Sequence, residues 1–186
     1  MFLIAGLGNP GSEYEDTRHN VGFMLIDRLA EACGIKFKRS GKALCARGLL
    51  AGEDVVLLKP QTFMNLSGEA VARFSGEYRV GAESIVAAYD DCDLPLGRIR
   101  IRKGGGSGGH KGVNSIITRL GNGDFARVRL GIGRPFYGDV ADYVLSPFEP
   151  PEAEALDAML KRGAGSVEAI ITRGIDCAMN IFNSAP

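Results

Sequence analysis

Two histidines, His19 and His110, are the side chains of this 186-residue sequence that titrate near neutral pH without a special environment. His19 lies within Thr-Arg-His-Asn at positions 17–20, where a loop gives way to a helical pattern. A helix N-terminus favours the uncharged imidazole that a general base requires. His19 is therefore a candidate general base, and a hydrogen-bonded structural histidine is the competing interpretation.

Three acids, Asp90, Asp91 and Asp93, follow an apolar run that ends at Tyr89. A carboxylate beside an imidazole can fix its tautomer and stabilise its protonated form. The spacing does not say which acid would do so. An acid-rich turn is one alternative, and a metal cluster is another, although three acids and one distant histidine make few ligands.

No serine or cysteine shows the sequence signature of a nucleophile, because the chain has no Gly-x-Ser-x-Gly elbow and no cysteine next to a histidine. This absence predicts that water is the attacking group. Such a site needs a base and hydrogen-bond donors for the developing oxyanion. Asn9 and Asn65, in two separate loops, are candidate donors, and turn-forming asparagine is the alternative for each.

Two glycine-rich segments follow predicted strands. The one at 6–11 lacks the helix-opening glycine and distant acid of a dinucleotide loop, because Pro10 and an acidic run intervene. The other runs from Lys103 to Gly112 and includes His110 and Lys111. Its glycines allow close backbone approach to a ligand, with cationic groups at both ends. It is either a mobile lid or a plain flexible connector.

The elements that must position these residues alternate between strand and helix patterns. Strands are predicted at 2–6, 44–50, 55–59, 84–89, 98–103 and 125–132, with a hairpin turn at 52–54. Helices are predicted at 21–33, 67–78, 110–120, 152–162 and 166–182, with Asn20 as an N-cap and Gly34 as a stop. This order predicts an α/β fold in which helices flank both faces of a twisted mixed sheet.

Composition predicts one domain spanning residues 1–186, since 45% of the residues are apolar and no linker or repeat divides the chain. No apolar run approaches the length of a membrane span, and no basic leader precedes the first strand. The four cysteines share no zinc-ligand spacing, so we expect buried free thiols in a reducing cytoplasm.

Charge is distributed unevenly along the chain although the net charge is zero. Residues 98–134 hold nine basic side chains against one acid, Asp124, which gives +8, and the remainder carries −8. A polyanion partner accounts for this asymmetry, and a solvated surface without a partner is the alternative.

Several motifs, in this order, resemble the bacterial peptidyl-tRNA hydrolases. They are Gly-Leu-Gly-Asn-Pro-Gly at 6–11, Tyr14, Thr-Arg-His-Asn at 17–20, Phe-Met-Asn-Leu-Ser-Gly at 63–68, Tyr-Asp-Asp at 89–91, the glycine-rich 104–112 and Arg-Leu-Gly-Ile-Gly at 129–133. The resemblance covers nearly the whole chain. It implies a phosphorylase/hydrolase-like α/β domain that acts in the cytoplasm, as a monomer and without metal or cofactor, on peptidyl-tRNA dropped off ribosomes.

The resemblance also implies roles for individual residues. His19 matches the catalytic base, Asp90 its supporting acid, and Asn9 the asparagine that recognises a blocked amino group. The acylated 3′ end is bound at positions matching Tyr14, Phe63 and Asn65, with Met64 beside the peptide. Lys103 and Arg129 fall where tRNA phosphates are contacted.

Two positions depart from the family pattern. Lys111 stands where many members have an asparagine that orients substrate, and an ammonium donates hydrogen bonds but cannot accept them. Position 138, where some members place a phosphate-binding lysine, is glycine.

Two other functions are compatible with parts of the sequence. A noncatalytic RNA-binding protein, such as the plant relatives that serve in intron splicing, would not need the combination of base, acid and asparagines. A hydrolase acting on a small amide or ester would leave the basic segment unexplained.

Overall fold

One seven-stranded mixed sheet runs through the computed structural model, which describes residues 1–135 and 137–184. Its strands are β1 (Phe2–Gly6), β2 (Lys38–Ser40), β3 (Ala43–Leu50), β4 (Glu53–Pro60), β5 (Ile85–Asp91), β6 (Ile99–Lys103) and β7 (Ala126–Gly131). They lie in the order β2-β3-β4-β1-β5-β7-β6. The inner strands β4, β1, β5 and β7 are parallel, so their carboxyl ends share one edge of the sheet.

Helices cover both faces of this sheet. They are α1 (Val21–Ala32), α2 (Ser67–Tyr78), α3 (Lys111–Leu120), α4 (Val140–Val144), α5 (Ala153–Arg173) and α6 (Ile175–Asn183). The core divides into two apolar clusters, one packed against α1, α5 and α6 and the other against α2 and α3. Strand β5 is buried along its whole length because it lies between these two layers. The α/β class and the mixed, two-sided sheet are therefore confirmed.

The free edge of β6 is blocked by a side chain. Asn183 in α6 accepts a hydrogen bond from the Ile101 amide at 2.7 Å and donates one to the Ile101 carbonyl at 3.0 Å. These bonds imitate a neighbouring strand and occupy backbone groups that would otherwise be open for pairing.

The C-terminal helices differ from the predicted pair at 152–162 and 166–182. Helix α5 continues through the predicted break and ends at Arg173. Gly174, with a φ of 79°, separates it from α6. A Cβ added at Gly163 would lie 3.2 Å from Leu25 and 3.3 Å from Leu130. That glycine therefore serves close packing of the helix on the sheet rather than a turn. The predicted break at 163–165 was therefore wrong, and the two helices meet at Gly174 instead.

Other local predictions were incomplete. Strand β2 and helix α4 were not predicted. Asn20 lies at the start of α1 but does not cap it, because its side chain bonds the backbone of Asn9 instead. Gly34 does end the α1 segment, with a φ of 64°. The cysteines are free, as expected, but half-buried rather than buried. No described helix is long and apolar enough to cross a membrane.

Arg18 fastens the segment that carries His19 to the C-terminal part of the chain. Its guanidinium donates to both carboxylate oxygens of Glu152, at 3.0 and 2.6 Å, and lies over the rings of Tyr143 and Phe148. Only 4% of the residue is exposed. The Arg18 amide also donates to the Ser146 carbonyl at 3.0 Å.

We expect Arg18→Ala to lower the free energy of unfolding by about 3 kcal/mol, because the change leaves a half-buried carboxylate without its partner. Chemical denaturation of the purified variant measures this loss. Arg47→Ala, which removes an exposed pair with Asp54 at 4.0 Å, is the matched control and should change it by less than about 1 kcal/mol. Equal effects of the two substitutions would contradict a structural role for Arg18.

Candidate active site

A cleft of about 990 Å³ opens at the carboxyl edge of the parallel strands. The ends of β1 and β5 are neighbours there, and the loops after β1, β4, β5 and β6 all contribute to its wall. Loops at this edge are where α/β proteins usually bind ligands. Of the predicted site residues, ten line the cleft: Asn9, His19, Phe63, Met64, Asn65, Asp90, Lys103, His110, Lys111 and Arg129.

Close packing of α1 on the sheet brings His19 to the end of β5. A Cβ added at Gly22 would lie 2.5 Å from the carbonyl oxygens of both Leu7 and Ala88. Any side chain at position 22 would therefore push the helix away from the β1–β5 pair. His19 precedes this contact by one turn and is half-buried.

His19 and His110 share one carboxylate oxygen. His19 Nδ1 lies 2.8 Å from Asp90 Oδ1, and His110 Nε2 lies 3.0 Å from the same atom. Asp90 is 4% exposed, and the two ring centroids are 5.4 Å apart. The structure thus places Asp90, rather than Asp91 or Asp93, beside the imidazoles.

The hydrogen-bond partners indicate which ring nitrogen carries the proton when each imidazole is neutral. The Val113 amide at the start of α3 must donate, so His110 Nδ1, 3.2 Å away, accepts, and its proton is on Nε2 toward Asp90. His19 has only Nδ1 directed at the carboxylate, which places its proton there. His19 Nε2 has no hydrogen-bond partner among the described residues and is free to accept a proton from a molecule in the cleft.

Two N–H groups stabilise the charge of Asp90. Burial would raise the pKa of this carboxyl, but attraction and hydrogen bonding from His110 and His19 outweigh burial and hold the pKa well below its usual range. The carboxylate is thus charged throughout the neutral range. The charged carboxylate therefore accepts a hydrogen bond from each ring.

The same three side chains offer one potential metal-ligand atom each within 4.8 Å of one another. Zinc needs about 2.0–2.1 Å to a histidine nitrogen and about 2.0–2.2 Å to a carboxylate oxygen. Both nitrogens point at Asp90 Oδ1 from 2.8 and 3.0 Å. A zinc ion at its usual distance from either nitrogen, on the line toward Asp90 Oδ1, would lie much closer to that oxygen than a zinc–oxygen bond allows. The arrangement therefore fits two hydrogen bonds better than a metal.

Asn9 is held so that its amide nitrogen stays available. Its Oδ1 accepts the Met64 amide at 2.8 Å, and its backbone exchanges two hydrogen bonds with the Asn20 side chain, at 2.8 and 2.9 Å. Asn9 Nδ2 donates to no described residue. Met64 is buried beneath the cleft, while Phe63 and Asn65 on either side of it are exposed.

Much of the charge of segment 98–134 is compensated by contacts within the protein. Arg129 forms an ion pair with Asp91, and Arg134 bonds Asp93, with Nε at 3.0 Å from Oδ1. Lys103 Nζ lies 3.6 Å from Asp176 in an exposed pair. Within residues 1–135 and 137–184, Arg98, Arg100, Arg102 and Lys111 form no ion pair. The positive charge of this segment that is available to a ligand is therefore smaller than the +8 counted from the sequence.

Tyr14 is the predicted site residue that the structure does not bring to the cleft. It is half-buried in a 3-10 turn, where its carbonyl accepts the Thr17 hydroxyl at 2.7 Å. Sequence reasoning in turn missed Arg102, Arg127 and three residues of α4 that line the cleft, Val140, Ala141 and Val144. The alternation of basic residues with isoleucine at 98–102 predicts that Arg102 is exposed on its strand. No pattern in the sequence predicts that α4 lies against the cleft.

Cys92 also lines the cleft but is poorly suited to act as a nucleophile. Burial, followed by the negative charge of Asp90, raises the pKa of its thiol to about 11. No described serine or cysteine side chain hydrogen-bonds either imidazole. These observations support water as the attacking group.

We expect Cys92 to react with iodoacetamide at pH 8 at least ~10-fold more slowly in the folded protein than after unfolding, because so little thiolate is present. Peptide mapping of timed alkylation measures the rate, and the rate should rise as the pH approaches 11. Equal rates in the two states would contradict the raised pKa.

The fold and site together define a mixed-sheet α/β protein with two imidazoles hydrogen-bonded to one buried carboxylate at the carboxyl ends of its parallel strands. A solved structure of peptidyl-tRNA hydrolase from Acinetobacter baumannii matches this chain with a TM-score of 0.93 at 38% identity, covering 99% of this chain and 95% of the other. Uridine phosphorylase from Vibrio fischeri matches with a TM-score of 0.53 at 10% identity, which shows the fold alone.

Sequence comparison agrees with the structural match. The family model described as peptidyl-tRNA hydrolase matches residues 3–186. Peptidyl-tRNA hydrolases of Carboxydothermus hydrogenoformans and Caldanaerobacter subterraneus are each 52% identical over 184 residues, covering 98% of this chain and 98% and 100% of theirs. This chain belongs to the peptidyl-tRNA hydrolase family.

Proposed function

We propose that this protein hydrolyses the ester between peptide and tRNA in peptidyl-tRNA lost from ribosomes, and so recycles free tRNA. Family membership over residues 3–186 supports the substrate class. The hydrogen bond between His19 Nδ1 and Asp90 carries the mechanism, because it leaves Nε2 free toward the cleft. The reaction uses no covalent intermediate and no cofactor.

In this mechanism, His19 Nε2 takes a proton from water as the water oxygen attacks the ester carbonyl. Asp90 stabilises the imidazolium that forms. Asparagine amides of Asn9 and Asn65 donate to oxygen atoms that gain negative charge. The tetrahedral intermediate formed by this attack then collapses and breaks the bond between the carbonyl carbon and the ribose oxygen. The imidazolium returns the proton to that oxygen.

Asn9 gives the site a means of distinguishing peptidyl-tRNA from aminoacyl-tRNA. With Oδ1 bound to the Met64 amide, Asn9 presents only the donor Nδ2. A blocked amino group brings an amide carbonyl, which accepts such a bond, whereas a free ammonium has no acceptor. Phe63 and Met64 are proposed to contact the acylated end.

The exposed cationic rim of the cleft is proposed to bind tRNA phosphates. Arg102 and Lys103 are exposed on β6 beside the cleft, and the half-buried Arg129, which pairs with Arg100 in the sheet register, lies on the neighbouring strand β7. Lys111 and His110 lie at the start of α3 on the same rim. We propose that the chain acts in the cytoplasm as a monomer with one domain.

The direct test compares N-acetyl-aminoacyl-tRNA with free aminoacyl-tRNA in parallel hydrolysis assays. We expect rapid release of the N-acetyl amino acid and little release of the free one. Binding of both without hydrolysis would favour a noncatalytic RNA-binding protein. Hydrolysis of small esters that is insensitive to ionic strength would favour a small-molecule hydrolase.

Phosphate contacts predict a steep fall of tRNA affinity with salt concentration. Each contact removed, by Lys103→Ala or Arg129→Ala, should flatten the slope of log affinity against log salt by roughly 0.7–0.9. Binding titrations at several salt concentrations measure the slope. Arg73→Gln on α2, outside the cleft, is the control. A slope identical to the parent's would count against that contact.

A further inference from the structure

Arg127 on β7 is a buried arginine that binds the glycine-rich loop between β6 and α3. Its two terminal nitrogens donate to the carbonyl oxygens of Gly106 and Gly105, and one of them also donates to Gly123 at 3.3 Å. Its guanidinium lies over the Phe125 ring, 4.7 Å from the centroid. The residue is only 3% exposed, and Nε has no hydrogen-bond partner among the described residues.

The backbone around this arginine is shaped for the contact. A Cβ added at Gly123 would lie 2.7 Å from the Gly105 oxygen and 3.2 Å from Arg127 Nη2. A side chain at position 123 would therefore displace the loop or the guanidinium. The loop residues concerned line the same cleft as His19 and Asp90.

The direction of these carbonyls determines the direction of the amides that follow them. In a trans peptide the N–H points opposite to the C=O of the preceding residue, and no described peptide is cis. With the Gly105 and Gly106 carbonyls turned toward Arg127, the N–H groups of Gly106 and Ser107 point away from it. No described residue accepts a hydrogen bond from either amide.

We infer that Arg127 is a positioning residue: it orients two peptide planes so that the Gly106 and Ser107 amides form a preset pair of donors for a partly negative substrate oxygen. The oxygen is a peptide carbonyl or a phosphate oxygen of the acylated end, both of which accept such bonds. This inference rests on the proposed function for its substrate. It assigns to Arg127 an internal role that differs from the phosphate contacts proposed for the exposed cations.

Two substitutions disturb this arrangement in different ways. Arg127→Gln removes the donors, whereas Gly123→Ala keeps the charge and displaces the Gly105 carbonyl; φ at position 123 is outside the left-handed region, so alanine is otherwise tolerated. Arg127→Lys keeps one donor group. Arg73→Gln is the matched control, because Arg73 also donates to a backbone carbonyl, that of Ser40, and lies over a phenylalanine ring, but outside the cleft.

The first measurement is hydrogen exchange of the Gly104 amide, which donates to the Phe125 carbonyl at 3.2 Å at the base of the loop, in each folded variant. Both Arg127→Gln and Gly123→Ala should speed exchange there while β5 stays protected, and Arg73→Gln should not. This measurement needs no substrate, so it remains informative even if the parent fails to hydrolyse N-acetyl-aminoacyl-tRNA and the proposed function falls. Unchanged exchange in both cleft variants would overturn the inference.

The second measurement is kcat/KM for N-acetyl-aminoacyl-tRNA and for an N-acetyl-aminoacyl ester of adenosine, which lacks phosphate. Misplacement of a substrate-orienting group costs about 10²-fold, and we expect this loss in both variants, with Arg127→Lys intermediate. Loss with both substrates assigns the oxygen to the peptide, and loss with tRNA alone assigns it to a phosphate.

Normal kcat/KM despite faster loop exchange, or a loss confined to Arg127→Gln, would overturn the inference. If Arg127→Gln does not fold, Gly123→Ala carries the test.

Discussion

His19→Ala should lower kcat for N-acetyl-aminoacyl-tRNA by at least about 10²–10⁴-fold, the usual contribution of a general base. The side chain belongs to neither apolar core cluster, so tRNA affinity should stay close to that of the parent, and the unfolding midpoint should fall only by the loss of one hydrogen bond to Asp90. Single-turnover hydrolysis with excess enzyme separates the chemical step from binding and product release. Near-normal turnover would eliminate His19 as the base.

His110→Ala is the informative comparison for that variant. His110 donates one hydrogen bond to Asp90 and accepts one from the first turn of α3. Its loss should therefore lower both activity and the unfolding midpoint. A larger activity loss in His110→Ala than in His19→Ala, with both proteins folded, would reverse the assignment of the base.

Asp90→Asn should lower kcat by about 10⁴-fold, the effect of the corresponding change in a Ser-His-Asp triad. An asparagine keeps the shape of the side chain but removes the charge that stabilises the imidazolium. It can also present an N–H to His19 and so select the wrong tautomer. A drop below 10-fold in a correctly folded variant would contradict the role of the carboxylate.

The same substitution has a pH-dependent effect on stability. The folded pKa of Asp90 lies below its unfolded value, so its contribution to stability is present above the unfolded pKa, about 3.9, and is lost as the pH falls toward the folded pKa. The parent should therefore be more stable than Asp90→Asn at pH 7, with the gap narrowing below about pH 4. Denaturation curves at several pH values measure the gap, and a constant gap would contradict the lowered pKa.

Sequence patterns predict the α/β architecture and the residue types at the centre of the site, a histidine and an acid. Alternating apolar runs predict the strands, and the scarcity of histidine together with an acid at the end of β5 points to His19 and its acidic neighbours. Residue reasoning alone could not choose Asp90 over Asp91, because that choice depends on which face of β5 the last residues occupy and on how closely α1 packs at Gly22. The family resemblance supplied the choice.

Contacts made between distant segments were not predictable in the same way. Arg18 and Arg127 are charged residues that the sequence gives no reason to bury, since their main partners, Glu152 and the carbonyl groups of Gly105 and Gly106, lie at least 21 residues away along the chain. The count of basic residues at 98–134 likewise overstated the free charge, because the acids that neutralise Arg129 and Arg134 lie outside that segment.

The most direct test of the account is the tautomer of each histidine in the free protein, read from two-bond nitrogen–proton correlations of the labelled imidazoles. For the neutral rings, His19 should carry its proton on Nδ1 and His110 on Nε2, which leaves His19 Nε2 as the open acceptor in the cleft. A proton on His19 Nε2 instead would leave no base facing the substrate and would contradict the mechanism.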